Sequence, residues 1–438
     1  MLDDGPFPRR GAEGRSDLPA RADGRGAPRG CGEVAASDRP GSRNNRPRNP
    51  GVDFRVGGPR KLNARNLSAR SGRIGGSPAP KNARGLMDAP KAGRILISRL
   101  RFIGDVVLTT PVIRALKRHY AEAELYYLAE AGPAAVLARN PYLEEVIALP
   151  DELLPGRSVL TRCGEQLRFL RDLRQRRFDL VIDLFGNPRS ALLTLATGAR
   201  LRVGYDVRGR GAAYNVKIRR SDALRVVDAY LDAVRTIGVP VDDDRTEVHF
   251  SAEDAAWADS WLAERAVDGD RRIAALNPGA SWPAKTWSAG RFAELARRMI
   301  EALNLRVLLV AGPGQQEAMD GLADLAGHAC PVVETASLTR LAALIRRCDL
   351  FVSNDCGPMH IAAAVGTPTI GLFGPSNPRI WFPYSQAEGH VALEAGTDDC
   401  CGRDFCVRPV PCIESISPCQ VLEAVESVLR GTSNRPAE

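Results

Sequence analysis

From residue 94 onward, the chain repeats one pattern of apolar and polar positions. Apolar runs of strand length lead into polar turns, and these lead into longer stretches in which apolar residues recur every three or four positions. In the first part of the chain the predicted strands are 94–99, 124–128, 145–149 and 178–184. In the second part they are 273–277, 306–311, 332–334, 350–352 and 369–373. Strands that alternate with helices in this way indicate βαβ units and parallel sheets.

A linker separates two sets of these units. Residues 240–244 are acidic and contain proline, and a new unit begins at 249–261. The sequence therefore predicts an α/β protein with two Rossmann-like, doubly wound domains that face a central cleft. The N-terminal domain is predicted at 87–245 and the C-terminal domain at 246–438. We expect a last helix, at 417–430, to pack back on the N-terminal domain.

Residues 1–86 differ in composition from the rest of the chain. They are rich in Gly, Pro, Arg and Asn and poor in aromatic and β-branched residues, so we predict a disordered extension. They hold 18 basic and 8 acidic residues, a net charge of +10, which leaves 42 basic and 44 acidic residues, a net charge of −2, for the remainder. A nearly neutral folded part does not indicate a nucleic-acid partner. The extension is either a nucleic-acid-binding arm or an upstream segment outside the working protein, which would then begin near Met87.

Half of the ten cysteines are concentrated near the C-terminal end, at Cys400, Cys401, Cys406, Cys412 and Cys419. The chain begins without the apolar core of a secretory signal, so we do not expect a disulfide framework. A zinc site is an alternative, but the spacing includes no Cys-x2-Cys pair. The sequence favours a metal-free cluster of structural thiols.

Three predicted strand-to-helix junctions carry polar residues, and ligands bind at such junctions in open α/β sheets. The first junction is Gly104-Asp105, which follows the first strand. A carboxylate at the start of a helix is usually a cap. At a strand end that faces the cleft, Asp105 is also a candidate general base.

The second junction is the stretch 277–287, Asn-Pro-Gly-Ala-Ser-Trp-Pro-Ala-Lys-Thr-Trp. Ser281, Lys285 and the backbone amides near a helix start would suit a phosphate group. The stretch is not a Walker A loop, because the Gly-Lys-Ser/Thr ending is missing. Taken alone, it is typical of an ordinary loop with an exposed lysine.

The third junction is 353–360, Ser-Asn-Asp-Cys-Gly-Pro-Met-His. It follows a strand-like apolar run, and Gly357 and Pro358 suit a tight turn and the first position of a helix. Asp355 and the free amides of that helix would face one crevice, where the helix dipole favours a phosphate. A lone helix histidine such as His360 is more often a satisfied core residue than a ligand-binding one.

A partial glycine motif leaves a different class of enzyme open. Residues 312–317, Gly-Pro-Gly-Gln-Gln-Glu, follow a strand but lack the third glycine of a dinucleotide fingerprint. The first strand is followed by 99–105, Arg-Leu-Arg-Phe-Ile-Gly-Asp, which is not such a fingerprint either. The alternative function is an NAD-dependent oxidoreductase with two Rossmann halves. If the motif does not bind NAD, Glu317 is instead a candidate donor-binding residue that contacts a ribose hydroxyl.

Four motifs in order, at 99–111, 277–287, 353–360 and 371–378, resemble glycosyltransferase family 9, the ADP-heptose:lipopolysaccharide heptosyltransferases. The resemblance covers about 94–429. It implies a GT-B fold and a metal-independent, inverting transfer without a cofactor. The implied donor is ADP-L-glycero-D-manno-heptose, and the implied acceptor is the lipopolysaccharide inner core or a related glycan.

The resemblance also implies roles for individual residues. Asp105 matches the catalytic base, Lys285 the pyrophosphate-binding lysine, and Asp355 the acidic residue that holds the donor sugar. The other donor-side residues are Ser281, Cys356, Gly357 and His360. The family usually has Ser or Thr at the position of Cys356, and a larger residue can cover the adenine at the position of Ala336.

The acceptor side rests on a group of arginines in the first part of the chain. The stretches 187–190 and 200–211 carry five of them, Arg189, Arg200, Arg202, Arg208 and Arg210. An inner-core acceptor would be anionic, and arginine binds carboxylates and phosphates through paired hydrogen bonds, so Arg189 and Arg208 are the predicted acceptor-binding residues. For any single arginine, a solvated loop position is the simpler interpretation. An enzyme with such a lipid-linked acceptor is expected in the cytoplasm, in peripheral contact with the cytoplasmic face of the inner membrane.

Overall fold

The computed structural model describes residues 89–150, 159–207, 209–218, 221, 224–265, 267, 269–327, 330–335, 337–395, 406 and 408–432. For 159–163, 210 and 432 it describes the backbone alone. All of these residues fall within one compact unit, Ser77–Glu438. The predicted extension, 1–86, lies outside the described residues.

The first half is a parallel sheet of six described strands. These strands, β1 to β6 in chain order, are Arg94–Ser98, Glu124–Glu130, Glu145–Leu149, Leu180–Asp183, Leu201–Gly204 and Val216–Lys217. Their spatial order is β3-β2-β1-β4-β5-β6. The central strand β1 is buried on both faces along Ile95–Ile97, as the apolar run predicts for a parallel strand.

The second half repeats this arrangement. Its described strands, β7 to β12, are Ile273–Asn277, Arg306–Ala311, Val332–Glu334, Leu350–Asn354, Thr369–Phe373 and Val391–Glu394. The order is β12-β11-β10-β7-β8-β9, so both sheets have the doubly wound order 3-2-1-4-5-6. The prediction of two doubly wound halves is confirmed, whereas the domain boundary at 245/246 stays a prediction.

Helices cover both sheets. In the first half, α1 to α6 are Ile103–Leu108, Thr110–His119, Ala131–Ala134, Val159–Gln175, Pro188–Thr197 and Val226–Thr236. In the second half, α7 to α13 are Ala252–Glu264, Ala289–Leu303, Gln316–Ala326, Leu338–Arg346, Gly357–Ala364, Pro378–Trp381 and Pro418–Thr432. Short 3-10 turns at Ala135–Leu137, Arg210–Ala213, Pro283–Lys285, Gln386–Glu388 and Cys412–Ser415 complete the described helical segments.

The two halves meet where α1 contacts α11. Two glycines allow this close approach. A Cβ atom on Gly104 would lie 2.5 Å from Cδ2 of His360, and one on Gly357 would lie 2.8 Å from Cβ of Ile103. Each glycine therefore faces a side chain of the opposite half, and the strand-end loops of the two sheets are brought together.

Several sequence predictions need correction. The expected first helix is divided into α1 and α2 at Thr109. The apolar pattern does not predict strands β5, β6 and β12, and β5 occupies part of the stretch 200–211, whose arginines suggest a basic loop. The last helix, α13, packs on α8 of the second half instead of returning to the first half. Cys419 is disulfide-bonded, so the expectation of a structural thiol is wrong for this residue, whereas Cys406 is a free cysteine.

Candidate active site

A cavity of about 420 Å³ lies between the halves, at the carboxyl ends of β1, β7, β8 and β10. Most of the predicted site residues line it, namely Asp105, Ser281, Lys285, Asp355, Cys356, Gly357 and His360. Glu317 is exposed on α9 and is not part of the cavity wall. A larger cavity, of about 950 Å³, begins at the other end of α11 and contains none of the predicted residues.

Asp105 lies in the first turn of α1, where its carboxylate is bound by side chains. Oδ1 accepts a hydrogen bond of 2.6 Å from the Tyr230 hydroxyl and lies 2.6 Å from Nη2 of Arg99. Within the described residues no partner contacts Oδ2. Because Oδ1 is held by two donors and the residue lines the cavity, Oδ2 is left for a substrate.

Arg99 and Tyr230 also support each other. Nε of Arg99 donates to the Tyr230 hydroxyl at 3.1 Å, and the guanidinium lies 4.2 Å from the centre of the Phe185 ring. Burial lowers the pKa of Arg99, but Tyr230 and Asp105 more than offset it, so the pKa lies above its usual value. Burial also raises the pKa of Tyr230 well above its usual value. Arg99 therefore stays charged and Tyr230 stays a hydrogen-bond donor. Nη1 of Arg99 is buried and has no partner among the described residues.

Lys285 and Asp355 form a buried ion pair on the opposite side of the cavity. Nζ of Lys285 lies 2.6 Å from Oδ2 of Asp355, and their side chains are 16% and 6% exposed. Nζ is also 4.7 Å from the centre of the Trp282 ring. Asn354 fixes the loop that carries Lys285. Its side chain accepts a hydrogen bond of 3.2 Å from the Trp287 amide and donates one of 2.7 Å to the Pro278 carbonyl.

The first turn of α11 supplies backbone amides to the same wall. Cys356 precedes this helix and is largely buried, and its Sγ accepts a hydrogen bond of 3.0 Å from Nδ2 of Asn277. Burial raises the pKa of the Cys356 thiol to about 11, so the thiol is neutral at pH 7. The positive end of the α11 dipole is therefore not cancelled by a thiolate, and it favours an anion in the cavity.

His360 is buried one turn into α11, against Gly104 of the first half. Its Nδ1 is 2.8 Å from the Tyr384 hydroxyl. Burial lowers the pKa of His360, against the opposing fields of Asp355 and Asp105. His360 therefore has a hydrogen-bond partner, as the core interpretation predicted, and it also lines the cavity.

The side of the cavity near β8 and β9 is apolar. Val310, Leu338 and Leu341 line it, together with Thr335. Such a surface suits a flat ring of a nucleobase. Position 336, where the base contact was considered, lies outside the described residues.

Phe102 stands at the entrance with a strained backbone. It immediately precedes α1, its φ is 68° and its side chain is 45% exposed while lining the cavity. A bulky residue at positive φ is an outlier, and such outliers cluster at ligand-binding sites.

Of the two predicted acceptor residues, Arg189 is not part of the cavity wall. Arg189 lies in the first turn of α5, with Nη1 3.6 Å from Oε1 of Glu130. Arg208 lies outside the described residues. Arg202, considered with them, donates to the carbonyls of Ala213 and Ala199 and so secures its own loop.

Sequence reasoning missed the residues that hold the predicted ones. Arg99 is the first residue of the motif at 99–111, but nothing in the spacing of that motif distinguishes Arg99 from Arg101. Tyr230 lies on a helix that the apolar pattern predicts, 125 positions after Asp105. Asn277 and Asn354 end their strands, and this position was the one available signal for them.

Neither a cluster of metal-ligating side chains nor a membrane-spanning helix is present in the described part of the chain. The described residues contain no group of three or more His, Cys, Asp or Glu side chains placed to hold a metal ion. No described helix combines the length and the apolar character needed to cross a membrane.

Comparison with known proteins gives a consistent result. The family model of glycosyltransferase family 9 (heptosyltransferase) matches residues 166–406, which is more than half of the chain. Lipopolysaccharide core heptosyltransferase OpsX of Haemophilus influenzae is 26% identical over 314 residues, which are 70% of this chain and 85% of that protein. Lipopolysaccharide heptosyltransferase 2 of Salmonella typhimurium is 26% identical over 352 residues, 77% of this chain and 98% of that protein.

Solved structures resemble the fold. A glycosyl transferase family 9 protein from Veillonella parvula superposes with a TM-score of 0.66 at 24% identity, covering 77% of this chain and 97% of that one. The ADP-heptose lps heptosyltransferase II of E. coli superposes with a TM-score of 0.61 at 23% identity. This superposition covers 78% of this chain and 99% of that one. The fold is therefore GT-B, and the NAD-dependent oxidoreductase alternative has no support from these comparisons.

Proposed function

The chain belongs to glycosyltransferase family 9, and we propose that it transfers a heptose from ADP-L-glycero-D-manno-heptose to a lipopolysaccharide inner-core or related glycan. We propose further that the transfer inverts the anomeric carbon. One observation carries the proposal above the others. The carboxylate of Asp105, fixed on one oxygen by Arg99 and Tyr230, lines the same cavity as the Lys285–Asp355 pair and the first turn of α11.

The donor fits this cavity from its apolar side to its charged side. The adenine would contact Val310, Leu338 and Leu341. The diphosphate would lie at Lys285, Ser281 and the amides at Gly357, where a cation and a helix N-terminus favour an anion. Asp355 would accept hydrogen bonds from sugar hydroxyls. Because Lys285 forms an ion pair with Asp355, donor binding would divide this lysine between the carboxylate and a phosphate.

The chemical step follows from the two walls of the cavity. Oδ2 of Asp105 would take the proton of an acceptor hydroxyl as that oxygen attacks the anomeric carbon. The bond between the anomeric carbon and the phosphate oxygen breaks, and ADP leaves with its electron pair. Lys285 and the α11 N-terminus would stabilise the negative charge that develops on the leaving group. Since these groups can supply the positive charge, we propose that no divalent metal is required.

We propose that the acceptor binds on the first half. Nη1 of Arg99 is a buried donor at the cavity wall without a partner among the described residues, so it would contact an acceptor oxygen near the attacking hydroxyl. Arg189, which follows β4 at the start of α5, would contact an anionic group farther from the reaction. We propose that Arg208 also binds the acceptor. We keep the division into domains at 87–245 and 246–438 as a hypothesis. Such an acceptor would place the enzyme in the cytoplasm, at the cytoplasmic face of the inner membrane.

The test is a panel of nucleotide sugars incubated with the purified chain and a deacylated inner-core acceptor, with ADP release and product mass as readouts. We expect turnover with ADP-heptose, an inverted linkage and the same rate in EDTA. Asp105→Asn is the matched control, because it should keep donor binding and lose transfer. Turnover with a different nucleotide sugar, or none with any, would contradict the proposal.

A further inference from the structure

The outer face of the first half carries a local concentration of arginine around exposed leucines. Helices α4 and α5 cover the face of the first sheet opposite to α1, α2 and α6, with Leu173 and Leu193 in the core beneath them. Residues 162–177 hold six arginines and two acidic residues. This cluster stands out because the chain after 86 is nearly neutral.

On α4 the exposed residues form one stripe. Leu167, Arg171 and Arg174 follow at intervals of four and three, which places them on the same side of the helix. Leu167 is 63% exposed, and the two arginines are exposed as well. Neither arginine forms an ion pair with any described residue, so both charges remain for an external partner.

On α5 a second stripe is apolar. Pro188, Leu192 and Leu195 follow at intervals of four and three, and the leucines are 60% and 45% exposed. Exposed apolar residues that adjoin one another on a surface often mark an interaction site.

The two stripes are adjacent. Helices α4 and α5 pack against each other. A Cβ atom on Gly198, which ends α5, would lie 2.7 Å from Nη1 of Arg174. Arg174 of α4 therefore lies beside the C-terminal end of α5. We name five exposed residues of these two packed helices the outer stripe: Leu167, Arg171, Arg174, Leu192 and Leu195.

We propose that the outer stripe docks on the surface of an anionic lipid bilayer. The leucines would enter the boundary between headgroups and acyl chains, and the arginines would remain among the lipid phosphates. Helix α5 connects this surface to the site, since it begins at the carboxyl end of β4 and its ten residues extend about 15 Å. A lipid-linked acceptor could therefore reach the first half while its anchor stays in the bilayer, so the inference rests on the proposed function.

The test is sedimentation of the full chain with vesicles. We expect binding to an equimolar mixture of phosphatidylcholine and phosphatidylglycerol and little binding to phosphatidylcholine alone, with the difference reduced by salt. The double variant Arg171→Gln/Arg174→Gln should bind the anionic vesicles roughly 25-fold more weakly, because each arginine near an anionic surface contributes about a factor of five. The double variant Leu192→Ser/Leu195→Ser should bind the anionic vesicles roughly tenfold more weakly than the natural chain does.

A control variant carries one change of each kind on the second half. Leu325 is 66% exposed on α9, and Arg346 is exposed on α10 without a partner among the described residues. Leu325→Ser/Arg346→Gln should therefore bind vesicles like the natural chain. The proposal would be overturned if the control and the variants of the outer stripe lost vesicle binding equally, or if none of them lost it. So would a change from dimer to monomer in Leu192→Ser/Leu195→Ser without any change in vesicle binding, because the stripe would then bind a second copy.

Transfer to a deacylated acceptor separates this inference from the proposed function. The stripe variants should keep the full rate with that acceptor and lose rate only with the natural acceptor in vesicles. If vesicle binding follows the outer stripe but no heptose is transferred, only the proposed function fails. If transfer occurs and vesicle binding ignores the stripe, only the docking inference fails.

Discussion

Tyr230 lies 125 positions after Asp105 in the chain, and its hydroxyl donates a 2.6 Å hydrogen bond to Oδ1 of that aspartate. Arg99 approaches the same oxygen at 2.6 Å. The carboxylate therefore has one oxygen fixed and one free within the described structure. A helix cap needs no such support, whereas a general base needs a fixed orientation.

Asp105→Asn should keep ADP affinity and lower kcat by roughly 100-fold or more, the contribution usual for a general base. Tyr230→Phe should lower kcat by roughly tenfold with the donor KM unchanged, because it removes one hydrogen bond to a charged group. Steady-state kinetics with saturating acceptor checks both. Near-normal turnover in Asp105→Asn would leave this residue a purely structural role.

Lys285→Ala should weaken ADP binding by roughly tenfold or more, since a hydrogen bond to a charged group is lost. Adenosine binding should not change, because the apolar wall is intact. Asp355→Asn should keep ADP affinity and weaken binding of the complete ADP-sugar. Calorimetric titration of the three ligands distinguishes these results, and equal weakening of ADP and adenosine would place Lys285 away from the diphosphate.

Gly104→Ala should destabilise the chain by roughly 1–3 kcal/mol, because its Cβ would overlap His360 and the halves would have to separate. Gly321→Ala is the control. No atom lies within 4 Å of a Cβ at that helical position, and alanine there should stabilise by up to about 1 kcal/mol. Urea unfolding measures both changes. If both alanines have the same effect, the contact between α1 and α11 is not tight.

Acid should destabilise the fold in part through His360. Burial holds the pKa of His360 below its ordinary value of about 6.5, so the unfolded chain binds the proton first as pH falls. Stability should therefore be complete above about pH 6.5 and decrease below it until the folded-state pKa is passed. Unfolding measured from pH 8 to pH 5 should show a smaller decrease in His360→Gln than in the natural chain. If the free energy of unfolding falls by the same amount with pH in the two proteins, His360 is not a source of the acid sensitivity.

Cys356→Ser should raise ADP affinity by roughly two- to tenfold if the hydroxyl usual in the family binds a phosphate, the range for one added hydrogen bond. The natural thiol should react slowly with iodoacetamide at pH 7, because burial raises its pKa to about 11. Cys330→Ser is the control: this residue is buried in the second core, so its change should affect stability and leave ADP affinity unaltered. Unchanged affinity in Cys356→Ser would remove this position from the phosphate site.

The sequence predicted most strands, because parallel strands that are buried on both faces are continuous apolar runs. It did not predict β5, whose Leu201-Arg-Val-Gly204 pattern is interrupted by an arginine, or β6, which has two residues. The strand-end residues Asp105, Lys285 and Asp355 were predictable because parallel sheets bring their junctions to one edge.

The sequence could not predict the tertiary contacts, which join residues that are far apart in the chain. The partner of Asp105 comes from α6, where Tyr230 is one of several apolar or aromatic residues that follow the helical period. Cys356 was noticed as a departure, but its hydrogen bond to Asn277 depends on two strands that are adjacent only in space. The outer stripe depends on the packing of α4 against α5, and neither helix alone indicates it.

The reciprocal contact of Gly104 with His360 and of Gly357 with Ile103 limits how relatives of this chain can be recombined. A chimera that takes its first half from one relative and its second half from another would inherit these four positions from two sources. If the first source has a side chain at the position of Gly104 and the second keeps a histidine at that of His360, each half would fold but the two could not close on each other. These four positions therefore form a set that must be exchanged together, although they lie in two separate stretches of the chain.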